Sequence, residues 1–193
     1  NFNLAGGATA NRVARWSGGA WSSLGTGAEN GVGPGGTGSS LAQLGGEVLV
    51  GGTFTVAGTT TALRVARWSG TAWASLGSGS ANGTNGSVDA LVTAGNEVYA
   101  FGPFNSAGGG IANAAARWNA GGWGTLGSGA GNGFARNVSA VAWFNGALHV
   151  GGSFTAAGPV PASYIARWNG SGWSALGSGL DGPVDDMVVQ GNA

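Results

Sequence analysis

Ala66-Arg67-Trp68-Ser69-Gly70-Thr71-Ala72-Trp73-Ala74-Ser75-Leu76-Gly77 decides how this chain folds, because its pattern occurs four times. The Arg-Trp pair stands at Arg15-Trp16, Arg67-Trp68, Arg117-Trp118 and Arg167-Trp168, about 50 residues apart. A second indole follows in every copy, at Trp21, Trp73, Trp123 and Trp173, and each opens a Trp-x-x-Leu-Gly unit. Outward from that segment the register holds. Phe2, Phe54, Phe104 and Phe154 each precede an Ala-Gly pair, at Ala5-Gly6, Ala57-Gly58, Ala107-Gly108 and Ala157-Gly158. Self-similarity at this period marks a repeat architecture, in which one supersecondary unit is stacked against copies of itself.

The third copy shows what the unit is. Val88 to Ala94 is a short apolar run, Gly95-Asn96 a turn signal, and Glu97 to Phe101 a second run ending at Gly102-Pro103. A Gly- and Ala-rich loop through Gly110 leads to Ala114–Trp118, a turn at 119–122, and Trp123–Leu126. Short β-prone runs punctuated by Gly and Asn predict two hairpins, hence four antiparallel strands per repeat. No segment sustains a 3.6-residue period, so no helix is predicted. The expected fold is an all-β propeller of four-stranded blades occupying 1–193 as one unit. Its repeats run approximately over 1–35, 36–87, 88–137 and 138–187, with a partial strand to 193. Aligning the two ends on the repeat leaves a closing blade short of its second strand. The chain is therefore expected to be a window of a longer array, since an unpaired neighbour would have an open edge.

Gly51-Gly52 and Gly151-Gly152 end the second strand, and a Trp sits in the fourth. In both respects the repeat resembles kelch blades. The whole pattern, Gly-Gly-x-Phe-Thr-x-Ala-Gly with Ala-Arg-Trp and Trp-x-x-Leu-Gly-Ser-Gly, is similar to repeats of secreted bacterial surface proteins grouped with the cortical markers of cell polarity. The resemblance covers essentially the whole chain. It implies a secreted or cell-surface location and a binding or structural role. Phe101-Gly102-Pro103 departs from the double glycine.

Composition narrows the function further. Among 193 residues there are seven Arg and no Lys, seven acids, and zero net charge. No field is available to hold a polyanion or an anionic bilayer surface. No apolar run approaches the roughly 20 residues that span a membrane as a helix. The 43 Gly suggest disorder, but nine Trp, seven Phe and 42% hydrophobic residues give the chain ample surface to bury. Without Cys there is no disulfide frame, thiolate nucleophile or Cys-ligated metal.

Catalytic readings find little support. His149 is the only histidine, and the equivalent position of the preceding copy is Tyr99, which points to packing and not to ligation. Asp181, Asp185 and Asp186 are the one acidic cluster, and their spacing matches no EF-hand loop. No Walker lysine exists. The expectation is a non-enzyme with no cofactor and no metal.

The four Arg-Trp pairs could build sugar sites, but because every copy keeps both residues they read as structural elements between blades. Glu47 matches Glu97, yet no acid recurs in all four copies. The repeated Arg is therefore expected to donate to loop carbonyls or to lie on an aromatic face.

Strand alternation places the connections two-to-three and four-to-one on one face, and these are the long ones. Binding residues concentrate on such loops over a rigid scaffold. Glu29, Asn30, Asn82, Asn85, Phe134 and Arg136 are the residues expected to meet a partner, either a protein or a carbohydrate at the cell surface. Self-association or continuation into further repeats is the remaining expectation. Two function classes follow, a non-catalytic scaffold or adhesion module and a lectin-like sugar binder.

Overall fold

In the computed structural model of the chain, residues 2–33, 35–127, 132–135 and 137–190 are described. The fold is all-β, and the strands follow the repeat. Sheet I comprises Gly38–Leu44, Glu47–Gly52, Val65–Trp68 and Trp73–Ser75. Sheet II comprises Ala90–Ala94, Glu97–Phe101, Ala115–Asn119 and Gly122–Thr125. Sheet III comprises Val138–Phe144, Ala147–Gly152, Ile165–Trp168 and Trp173–Ala175. Within each sheet the strands pair antiparallel in chain order. Trp68 faces Trp73 across the outer hairpin, as Trp118 faces Trp123 and Trp168 faces Trp173. The short interval between the two indoles thus does what it predicts: a tight turn sets them side by side, with centroids 5.3 Å apart for Trp68 and Trp73.

The sheets stack face to face, and this explains why the second strands carry apolar residues on both faces, as at Val98 to Phe101. Side chains alternate across a strand. Val98 and Ala100 pack towards sheet I with Leu49, Leu76 and Val88, whereas Tyr99 and Phe101 pack towards sheet III with Leu148 and Val150. A strand buried on both faces reads as a continuous hydrophobic run. The first strands also touch: the Leu91 amide donates to Ser40 Oγ (2.9 Å) and Thr93 Oγ1 donates to the Gln43 carbonyl (2.8 Å).

The double glycine is a packing requirement of this stack. A Cβ on Gly51 would lie 2.7 Å from Val88 Cγ1, and one on Gly151 2.6 Å from Val184 Cγ1. The next repeat leans directly on that backbone. In sheet II the first glycine is replaced by Phe101, which is fully buried and fills the gap towards Phe134, ring centroids 6.4 Å apart.

Every junction is also tied by its fourth-strand indole. Trp73 Nε1 donates to the Leu24 carbonyl (2.9 Å), Trp123 Nε1 to Leu76 (2.8 Å) and Trp173 Nε1 to Leu126 (3.0 Å). The Leu of Trp-x-x-Leu-Gly thus serves as the acceptor for the following repeat.

The first repeat differs. Ala14–Ser17 and Ala20–Ser23 form a two-stranded sheet, and Trp16 and Trp21 are 57% and 47% exposed. The expectation that all the repeated indoles are core elements therefore fails in this copy, because no inner strand pairs with Ala14–Ser17 among the described residues. At the other end, the Val184 amide donates to the Gly152 carbonyl (3.2 Å), as Val88 donates to Gly52 (3.0 Å). Val184 and Met187 thus lie over Gly151 as Val88 and Leu91 lie over Gly51.

Three expectations need correction. The long two-to-three connections are not plain loops. Each carries a two-residue-per-strand hairpin, such as Ser106–Ala107 with Gly110–Ile111. The four-to-one connections begin with 3-10 turns at Gly27–Glu29 and Gly79–Ala81, where no helical element was expected. Finally, two repeated Arg do find carboxylates: Arg67 pairs with Glu47 and Arg117 with Glu97, both at 3.2 Å. The two matching acids were visible in the sequence. The fourth copy has Ala147 in their place, and there Arg167 is exposed.

Candidate functional site

The end of the stack formed by the two-to-three and four-to-one connections carries the site. Its loops are shaped by a repeated Asn-Gly step. The Asn30 side chain is buried; its Nδ2 donates to the Thr9 carbonyl (2.7 Å) and its Oδ1 accepts from the Asn11 amide (3.3 Å). Asn82 repeats this with Thr61 (2.8 Å) and Leu63 (3.3 Å). Asn132 Nδ2 donates to Ile111 (2.7 Å), but its buried Oδ1 has no donor. The glycine that follows must be a glycine. Gly83 sits at φ +67°, and a Cβ there would lie 2.0 Å from the Leu63 carbonyl oxygen. Each four-to-one loop is thereby pinned to the loop of its own repeat.

This geometry redistributes the expected site residues. Asn30, Asn82 and Phe134 are buried, so two of them act as loop staples and the third as a core ring. Glu29 is exposed on the loop after the first outer hairpin. Asn85 is exposed and ties consecutive repeats: its Oδ1 accepts from the Asn105 and Ser106 amides, and its Nδ2 donates to Asn105 Oδ1 (2.6 Å). Arg136 lies outside the described residues. Phe134 thus lies in the loops between sheets II and III, Asn85 in the connection from sheet I to sheet II, and Glu29 and Asn30 at the junction before sheet I.

A cleft of about 390 Å³ opens at the sheet II–III junction. One wall is Phe104, Asn105, Asn113 and Ala114, from the two-to-three connection of sheet II. The facing wall is Asn132, Phe134 and Asn137, from the next four-to-one connection, and Ala156 and Gly158 close one end. No described lining residue is charged.

One position that sequence reasoning missed controls this cleft. Arg12, Arg64, Ala114 and Tyr164 are equivalent, one per repeat, and all hold a left-handed backbone, with φ of 65°, 67°, 58° and 68°. Non-glycine residues seldom adopt that conformation. Three of the four are long side chains held half-buried, and the Ala alone lines the cleft. The recurrence of a bulky residue just before the third strand was readable in the sequence; its backbone conformation was not.

Elsewhere, His149 is half-buried beside Phe144 (centroids 6.0 Å) and lines a small apolar recess with Met187 and Val189. That is a packing environment, as its match to Tyr99 suggests. Tyr99 itself donates to Glu97 Oε2 (2.7 Å), and burial pushes its phenol well above the ordinary range, assisted by that carboxylate. Asp185 and Asp186 are exposed, and Asp186 Oδ1 accepts from the neighbouring Met187 amide. Among the described residues no three acidic or imidazole groups converge as a metal site would need.

Compared with known protein families and with curated proteins, the chain matches none.

Proposed function

We propose that the chain is a non-catalytic binding module of the kelch-like, β-propeller type, secreted or cell-surface in location, which meets its partner with the long-loop end of its sheets. The observation that carries this reading is the cleft between sheets II and III. Its described lining comes from two-to-three and four-to-one connections, and among the described residues it holds amides and aromatic rings but no acid, base or nucleophile that would point to chemistry. The propeller reading draws support from the stacking of four-stranded sheets through their first strands and from the glycines that admit the next repeat. The loops are stapled by buried Asn, which gives a binding surface the rigidity that lowers the entropy cost of association.

The test is a pair of loop variants measured on a glycan array and on immobilised extracellular-matrix glycoproteins. Truncating Asn105 and Asn137, exposed residues that line the cleft from its two connections, to Ala should weaken binding while circular dichroism and melting stay as in the parent. Binding that survives both truncations and is lost on changing the short turns at 45–46 and 95–96 would place the surface at the opposite end.

A further inference from the structure

The four repeats are near copies, yet at one register position they part. Arg12, Arg64 and Tyr164 are half-buried side chains on a left-handed backbone. Ala114 keeps that backbone and leaves only a methyl group, and the cleft of about 390 Å³ lies against it. The sister residue Arg12 lines a cleft of its own, of about 440 Å³, so the Ala114 cleft is set apart by its lining and not by its existence. Phe101 also distinguishes this junction. It replaces the glycine on which the next repeat leans in sheets I and III, so its ring stands between sheets II and III.

The lining states what would fit. Its polar side chains are carboxamides, which both donate and accept, and Phe104 and Phe134 line it beside them. Asn105 presents its amide N–H₂, because its Oδ1 already accepts from Asn85. No described lining residue could neutralise an ion. Hydroxyl groups also donate and accept, and a pyranose ring carries an apolar C–H face. From this match we infer that the cleft beside Ala114 is a subsite for a single neutral sugar residue. The inference rests on the loop-end reading above and assigns its ligand class.

Two-dimensional ¹H–¹⁵N NMR of the intact chain, titrated with glucose, galactose, mannose, N-acetylglucosamine and, as an anionic control, glucuronate, tests it. At least one neutral sugar should shift the amides of Asn105, Asn113 and Gly133 in a saturable way, and glucuronate should not. Ala114→Arg and Ala114→Tyr install side chains that sister repeats already hold on the same backbone. Each should melt as the parent does and lose affinity about tenfold or more. If no neutral sugar moves those amides, or if both folded variants bind as the parent does, the subsite is refuted. Shifts confined to 26–40 or 78–87 would refute the subsite and leave the loop-end reading standing. Shifts confined to the short turns would overturn both.

Discussion

Trp73 and Trp21 occupy the same place in the repeat and should behave very differently when truncated. Trp73 is 7% exposed, packs beside Trp68, and donates to the Leu24 carbonyl across the junction. Trp73→Ala removes a buried indole, at a cost of about 3–5 kcal/mol. Loss of the hydrogen bond adds about 1 kcal/mol, kept small because the Leu24 carbonyl still accepts from the Gly31 amide (2.9 Å). Together these amount to about 4–6 kcal/mol, against a domain stability of about 5–15 kcal/mol. Trp21 is 47% exposed and leans chiefly on Trp16 and Gly6. Its truncation should cost about 1–2 kcal/mol. At about 2–4 °C per kcal/mol for a chain of this size, the two melts should fall by about 10–20 °C and by a few degrees. Urea titration with an unchanged slope checks the same difference at constant temperature. Equal losses in the two variants would refute the reasoning, since they would mean that the exposed indole is buried or that the junction bond contributes nothing.

Gly83→Ala should destabilise by more than about 1 kcal/mol and by more than Gly70→Ala, because both hold a left-handed backbone but only at Gly83 does a carbonyl, that of Leu63, stand where the Cβ would go; paired melts decide. Arg117→Met should change stability by no more than about 1 kcal/mol, because the pair with Glu97 is about one-third exposed, and any difference from the parent should shrink in high salt. The Tyr99 phenol has its folded pKa raised by burial, so the neutral form is favoured in the fold. Its contribution is present below the unfolded tyrosine value of about 10 and is lost as pH climbs above it, so Tyr99→Phe should remove that part of the alkaline loss of stability in pH-dependent urea titrations.

Much of this was legible in the sequence because it depends on local signals. The strand Glu97–Phe101 matches its predicted bounds, and the Trp68–Trp73 pairing follows from the length of the turn between them. The small hairpins at 106–111 and their counterparts escaped because strands of two residues are shorter than any alternation that could announce them. Asn30 and Asn82 look like solvent-facing loop residues, and they are buried because the carbonyls of Thr9 and Thr61, far back in the chain, need donors. Their recurrence at Asn132 in one register was the available clue. The Arg67–Glu47 and Arg117–Glu97 pairs were missed by asking that a carboxylate recur in every copy, when a surface pair contributes too little for each repeat to keep it. The Ala114 cleft is lined by three connections that are far apart in the chain, so no local signal announces it.

The most direct test of the stacked-repeat account is indole hydrogen exchange, read from the Trp Nε1–H signals of the ¹⁵N-labelled chain. Trp73, Trp123 and Trp173 each donate to the Leu carbonyl of the repeat before, and their protons should exchange slowly, at rates set by opening of the junctions. Trp16 and Trp21 are open to solvent and should exchange within the dead time. Rapid exchange of all three junction indoles, or protection of Trp21 equal to that of Trp73, would contradict a stack in which each repeat is bonded to the one before it.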